Sequence, residues 1–238
     1  MLTQDLYSIS DTPLHNLGML YINGYGEKYR YAKNGAVALA TALLTQESAE
    51  DTQFVSMATP AAVAIGSKVI GVTNGTTTVT ADMFVGGPLV VSAGTGIGQK
   101  FRIVGHTTGA SGAVIYYTVD RPVAIALVAA SSTISVRKNP YDSVVVNPAT
   151  TSTGGPTGFT LTAVAASKYF WTQTGGDTAV TFDTGTNTAN DLLGIEPSLA
   201  VAGQVKVSAG TSGDAYIGYT RQVASVDSTT SIANIMID

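Results

Sequence analysis

Between residues 52 and 146 the chain is cut into short β-branched and aromatic runs, most of them closed by Gly, Pro or Asn-Gly, and this punctuation limits the fold more than any other feature. Runs of this size recurring about every 8–12 residues suit the strands of a β-sandwich or barrel. Predicted strands are 54–57, 68–73, 77–80, 88–92, 100–105, 113–120, 123–128 and 133–137, with 80–84 read as one helical turn capped by Thr80. The pattern resumes at 159–165, 169–173, 179–182, 199–201, 204–208, 216–221 and 231–237, with a loop of small polar residues at 184–190. No fixed period that would mark a solenoid is present.

Upstream, residues 1–16 carry no periodicity and contain Pro13, the pattern of an arm. Residues 18–22 run to Asn23-Gly24, and 28–33 run to Asn34-Gly35. Asn-Gly is the strongest short hairpin signal, so strands are predicted on both sides. Residues 36–44 fit helix on propensity and buried strand on context; the neighbouring strands favour the second. Residues 147–158 hold nothing strongly apolar and read as a linker or long loop. The expected organisation is all-β, as sandwich- or barrel-like units with an extended N-terminal arm and little helix. It comprises an arm and Tyr-rich hairpin region (1–50), a first β unit (51–147), a linker (148–158) and a second β unit (159–238).

Composition removes several classes of function. Of the 238 residues only 12% are charged and the net charge is −4, so binding nucleic acid through bulk charge is not expected. There is no Cys, hence no disulfide framework and no thiolate metal site. No apolar run reaches the length of a membrane span, and no secretory signal is read at the first residues. A surface so poor in charge, and rich in Thr, Ala and Gly, suits a protein that hides much of itself in an assembly.

Candidate chemistry is thin. Gly94-Thr95-Gly96-Ile97-Gly98 follows a predicted strand, but its third Gly comes one position early and leads into another strand. It reads as a hairpin loop, not a phosphate loop. His15 and His106 are the only histidines, and neither has a carboxylate cluster beside it in sequence; a triad of His106, Asp120 and some Ser can be drawn in almost any chain. Glu47, Glu50 and Asp51 form a small acidic group that reads as a solvated loop. Asn74-Gly75-Thr76 is a glycosylation sequon that doubles as a turn. Lys168-Tyr169-Phe170-Trp171 is expected to anchor the second unit. No catalytic residue, metal site or cofactor is expected.

The unusual patch is Tyr21, Tyr25, Lys28, Tyr29, Arg30, Tyr31 and Lys33. Tyr and Arg are enriched at protein–protein interfaces. These seven residues are the candidate docking site; an ordinary strand pair with Tyr on one face is the alternative.

Several islands stand out: residues 26–36, with the Tyr-Arg-Tyr-Ala-Lys-Asn-Gly-Ala stretch; 86–91 and 94–103; 136–141; and Ile217-Gly218-Tyr219 with the closing 232–237 run. In these islands the chain resembles virion proteins of tailed bacteriophages. The resemblance implies a head decoration or cement protein. Such a protein binds the outside of the major capsid lattice and braces it through protein–protein contacts, as a dimer or trimer. It would reside on the virion surface, and in host cytoplasm during assembly, with the major capsid protein as partner and neither nucleic acid nor membrane involved. Two other readings stay open: a tail or fibre β module that binds host surface, and a carbohydrate-active or carbohydrate-binding β protein.

Overall fold

The computed structural model describes residues 3–183, 194–208, 216–222 and 229–238. The chain divides into two compact units: Met1–Ala49 with Pro140–Asp238, and Glu50–Asn139. In chain order the strands are β1 (Leu20–Ile22), β2 (Lys28–Lys33), β3 (Leu44–Gln46), β4 (Met57–Ala58), β5 (Val69–Thr73), β6 (Pro88–Ala93), β7 (Lys100–His106) and β8 (Val114–Val119). They continue as β9 (Thr133–Val136), β10 (Val145–Val146), β11 (Pro156–Thr160), β12 (Tyr169–Thr181), β13 (Gly194–Pro197), β14 (Val205–Val207), β15 (Gly218–Thr220) and β16 (Thr230–Met236). The one helical element among the described residues is a 3-10 turn, Thr52–Phe54, so the chain is all-β.

The Glu50–Asn139 unit obeys the two-residue period of its sequence. In β7, Phe101 and Ile103 face inward while Lys100, Arg102 and Val104 face outward; in β8, Ile115, Tyr117 and Val119 are buried. The strands pair antiparallel in the order β4-β9-β6-β7-β8-β5, and the end strands β4 and β5 approach each other, so the sheet curls into a barrel-like unit. One continuous core fills it, around Phe54, Phe84, Leu89, Ile103, Tyr117 and Ile134.

The other unit is built on β12. Its first half pairs with β2 from Tyr169↔Lys33 to Gly175↔Lys28, and its second half pairs with β16 from Gly175↔Met236 to Thr181↔Thr230. The exchange of partner falls at a register shift between Gln173 and Gly175. A bulge bends a strand and re-aims its side chains, and Gly175-Gly176 supplies the backbone freedom it needs. Gly176 stands at φ 89°. Neighbouring residues Phe170 and Trp171 point to opposite faces and both are buried, so this sheet is covered on both sides. One face packs Phe170 with Ala32, Leu39, Val144 and Val164. The other packs Trp171 with Tyr29 and Tyr31, with Leu6 and Leu17 laid against them. A separate cluster of Leu44, Phe159, Val180, Phe182 and Ile195 fills the far part of the unit.

Several elements differ from expectation, each for a local reason. The region 36–44 is neither helix nor strand before Leu44. It bridges once, Leu39↔Val164, and Ala42 takes φ 58°, which ends either regular structure. Residues 123–128 make only the bridge Val63↔Leu127. The Gln99 side chain accepts from the Ala124 and Ile125 N–H groups and donates to the Ile125 carbonyl, doing the work of a neighbouring strand. Predicted strand 54–57 splits into the 3-10 turn and β4, around Ser56 at φ 54°. Residues 77–80 reduce to the bridge Val79↔Gly109, and 80–84 form turns with Asp82 at φ 57°, not a helical turn. Predicted strands 169–173 and 179–182 are one strand through Thr181, and 199–201 is a turn. Predicted strand 159–165 is shorter and earlier, ending at Thr160. The loop predicted at 184–190 lies outside the described residues.

The expected linker is not one. Its end is β11, which pairs with β3, and its loop is held where Gln46 Nε2 donates to Thr153 Oγ1 (2.8 Å) and the Gly155 N–H donates to Glu47 Oε1 (2.9 Å). Unit boundaries therefore fall at 49/50 and 139/140, and the expected N-terminal region and second β unit are parts of one body. The long-range pairing of β2 with β12 is the cause, and nothing local in the sequence announces it.

Candidate functional site

The Tyr-rich segment folds as the hairpin β1–β2, in the register Tyr21↔Tyr29. Alternation then sorts the candidate residues. Tyr29 and Tyr31 face Trp171 and are buried, so their rings hold the sheet together and offer no outer docking face. Tyr21 is half-buried, 6.1 Å from the rings of both Tyr29 and Trp171. Tyr25, at the turn, is 94% exposed. The cations are engaged within the unit: Lys28 Nζ donates to the Asp238 carbonyl (2.9 Å), and Lys33 lies 5.7 Å over the Tyr169 ring. Arg30 grips Asp238 with two bonds, at 2.6 and 3.2 Å, and donates to Gly18 O at 2.8 Å. Burial works to raise the Asp238 carboxyl, but the bonds and charge of Arg30, with the charge of Lys28, outweigh it and hold the group below its ordinary value.

The N-terminal segment lies along its own sheet. Tyr31 OH donates to Gln4 Oε1 (2.7 Å), and the Leu14 N–H donates back to the same hydroxyl. Ser10 bridges Tyr169, Lys168 pairs with Asp11 at 2.5 Å, and the His15 ring sits 5.1 Å from Tyr31 and 5.2 Å from Trp171. His15 is thus a packing residue on the aromatic cluster.

What the hairpin does present is apolar. Met19, Leu20, Ile22 and Tyr25 are exposed together. β1 pairs only with β2 among the described residues. Backbone bonds join Tyr31 to Met19 and Asn23 to Glu27, so antiparallel alternation turns the N–H and C=O groups of Leu20 and Ile22 to the open edge. An apolar edge strand is a template for another chain.

Beside the hairpin, on the Trp171 face, lies a cavity of about 290 Å³. Tyr7, Glu27, Tyr29, Thr41, Gln173 and Asp177 are among its lining. Tyr29 OH donates to Glu27 Oε2 (2.7 Å), which also accepts from Asn23 Nδ2 (2.5 Å). Burial, then this bond and the Glu27 charge, push the Tyr29 phenol up, so it stays a donor. Gln173, only 3% exposed, spends its Nε2 on the carbonyls of Gly175 and Asp177. Of this group the sequence reading had only Tyr29. The pair Gly175-Gly176 interrupting a strand pattern was the available signal, since it marks the bulge that brings Asp177 and Glu27 to one place.

The other sequence candidates resolve as structural. His106 Nε2 accepts from the Phe84 N–H and Nδ1 faces the Thr107 carbonyl, while Asp120 Oδ1 takes the Arg102 N–H, so no triad forms. That backbone bond holds the Asp120 carboxyl below its ordinary value. The acidic group disperses: Glu47 binds Gly155, Asp51 caps the 3-10 turn, and Glu50 approaches Arg137 at 4.0 Å. Asn74 is buried and donates to the Thr77 and Ala110 carbonyls, which is the turn reading of the sequon. Gly94, Gly96 and Gly98 all take positive φ in the loop between β6 and β7. Among the described residues no group of three His, Asp or Glu is placed to hold a metal ion, and no helix is long and apolar enough to cross a membrane.

Comparison with known protein families, with curated proteins and with solved structures finds no match.

Proposed function

We propose that this is a structural protein that works through docking contacts. More particularly, we propose a head decoration protein of a tailed bacteriophage, an oligomer that braces the outside of the major capsid lattice. The observation that carries the docking reading is the open edge of β1, with Met19, Leu20, Ile22 and Tyr25 exposed along it. An added strand would gain main-chain hydrogen bonds from the edge and burial from the side chains. The virion assignment adds the resemblance of the 26–36 and 94–103 islands. It also fits the low charge, which suits a surface repeated and covered many times.

The test is the copy number of the protein against the major capsid protein in purified particles. A ratio of one to one, or a simple fraction of it, supports the head reading. A handful of copies points to the tail instead, and absence from particles removes the virion role. The double variant Leu20→Lys, Ile22→Lys places two charges on an exposed edge and leaves the core untouched. Its incorporation is expected to fall by about tenfold or more, since like-charged edges refuse pairing. Undiminished incorporation would move the contact away from β1.

A further inference from the structure

We infer that the cavity beside the β1–β2 hairpin receives one arginine side chain of a partner protein, with Glu27 as its counter-ion. The lining named above holds two carboxylates, and among the described residues no basic side chain lines the cavity. Asp177 is already neutralised: Arg221 lies 3.2 Å from it, and Asn234 Nδ2 donates to it at 2.7 Å. Among the described residues Glu27 has no such cation, and its Oε2 alone is used, by Tyr29 and Asn23. The nearest cations on the same hairpin, Lys28 and Arg30, both reach Asp238 instead. Glu27 lines the cavity, and among the described residues its Oε1 takes no hydrogen bond.

Gln173 supplies an independent reason. Donation of its Nε2 to two carbonyls fixes the amide orientation and leaves Oε1, on a residue that lines the cavity, with no donor among the described residues. That acceptor is available to a ligand that donates. The cavity thus asks for donors carrying positive charge. A guanidinium gives several donors in one plane, suits two separate acceptors, and stacks on aromatic faces, whereas an ammonium is a compact and strongly hydrated point. Tyr7, 66% exposed on the cavity wall, offers such a face. The bulge makes room for all this: at Gly176 a β-carbon would sit 3.0 Å from Glu27 Cγ.

The inference rests on the docking reading only for the source of the arginine, so its test uses a small probe and no particle. Acetyl-Gly-Arg-Gly-amide is titrated into the full chain and followed by ¹H–¹⁵N correlation spectra, beside the same peptide with citrulline, the neutral isostere of arginine. The arginine peptide is expected to shift the amides of Glu27, Gln173 and Gly176, and the citrulline peptide to bind about tenfold more weakly or worse. Glu27→Gln is expected to lose the response by a similar factor, and Tyr7→Ala to weaken it several-fold. Because Tyr7 is exposed, its variant keeps the fold and carries the test if Glu27→Gln disturbs the sheet. The inference fails if the arginine peptide shifts nothing, if citrulline binds equally, or if glucose moves the same amides more strongly. It also fails if the response is undiminished in either variant. None of these results changes the copy number expected of a capsid brace.

Discussion

Gly176 carries two constraints at once: a backbone at φ 89° and a Glu27 side chain packed where a β-carbon would go. Gly176→Ala meets both, and a left-handed backbone alone costs an L-residue about 1–2 kcal/mol. Chemical denaturation is expected to show a loss of at least that size, with Glu27 displaced from the cavity. A change under about 0.5 kcal/mol, the level of an ordinary surface substitution, would mean that the bulge is relaxed. Tyr117 poses the opposite case. Its ring packs edge-on to Phe84 in the barrel core, but its hydroxyl is buried with no partner among the described residues. An unmade hydrogen bond in a core costs about 1–3 kcal/mol. Tyr117→Phe keeps the ring contacts and removes the orphan group, so urea unfolding is expected to show equal or greater stability. A clear loss would reveal a partner for the hydroxyl.

At the scale of elements, β2 is held from both ends of the chain. Residues 3–17 cover its Tyr29/Tyr31 face, while Arg30 and Lys28 bind Asp238 just beyond β16. Asp238 has a folded-state carboxyl below its ordinary value. A lowered carboxyl contributes stability above its unfolded value and loses it as pH falls through the folded one. The clamp is therefore complete at neutral pH and opens in acid. Asp238→Asn is expected to cost about 0.5–1 kcal/mol near pH 7 and to remove that share of the acid sensitivity. If the variant and the parent differ equally at pH 7 and below the carboxylate range, the ion pair is not the source. The same elements show what the sequence could reveal. β5 to β9 were legible because one face of each meets a single core, and alternation survives. β12 was split in two because both its faces are covered, so Tyr169 to Gln173 reads as a continuous run, and because Gly175-Gly176 mimics a turn inside one strand. The Tyr patch misled in the same way. Period two placed Tyr29 and Tyr31 on one face correctly, but only the pairing with β12 shows that this face is inside. Residues 123–128 were misread because a side chain, Gln99, took the place of a strand.

At the scale of the whole molecule, the buried phenols set an alkaline limit that both units share. Burial raises Tyr117 in the Glu50–Asn139 unit; in the other unit burial, with the Glu27 bond, raises Tyr29. Burial and the charge of Asp238 push Tyr141 up to about 12, although Arg30 opposes them. Each folded-state value lies above the ordinary 10.0, so the unfolded chain gives up its proton first as pH rises. The protonated phenols therefore support the fold fully below about pH 10, and that support declines as pH climbs through 12 and beyond. The midpoint of urea unfolding is expected to hold between pH 8 and 9.5 and to fall steadily above 10. The two units supply separate phenols, so Tyr117→Phe should relieve the alkaline loss of the barrel-like unit alone. Tryptophan fluorescence follows the other unit through the single Trp171 and should keep its full pH dependence in that variant. Far-ultraviolet dichroism reports both units and should keep only part of it. Identical curves by both probes would mean that the two units unfold as one, and a flat midpoint from pH 9 to 12 would mean that these hydroxyls are not buried in solution.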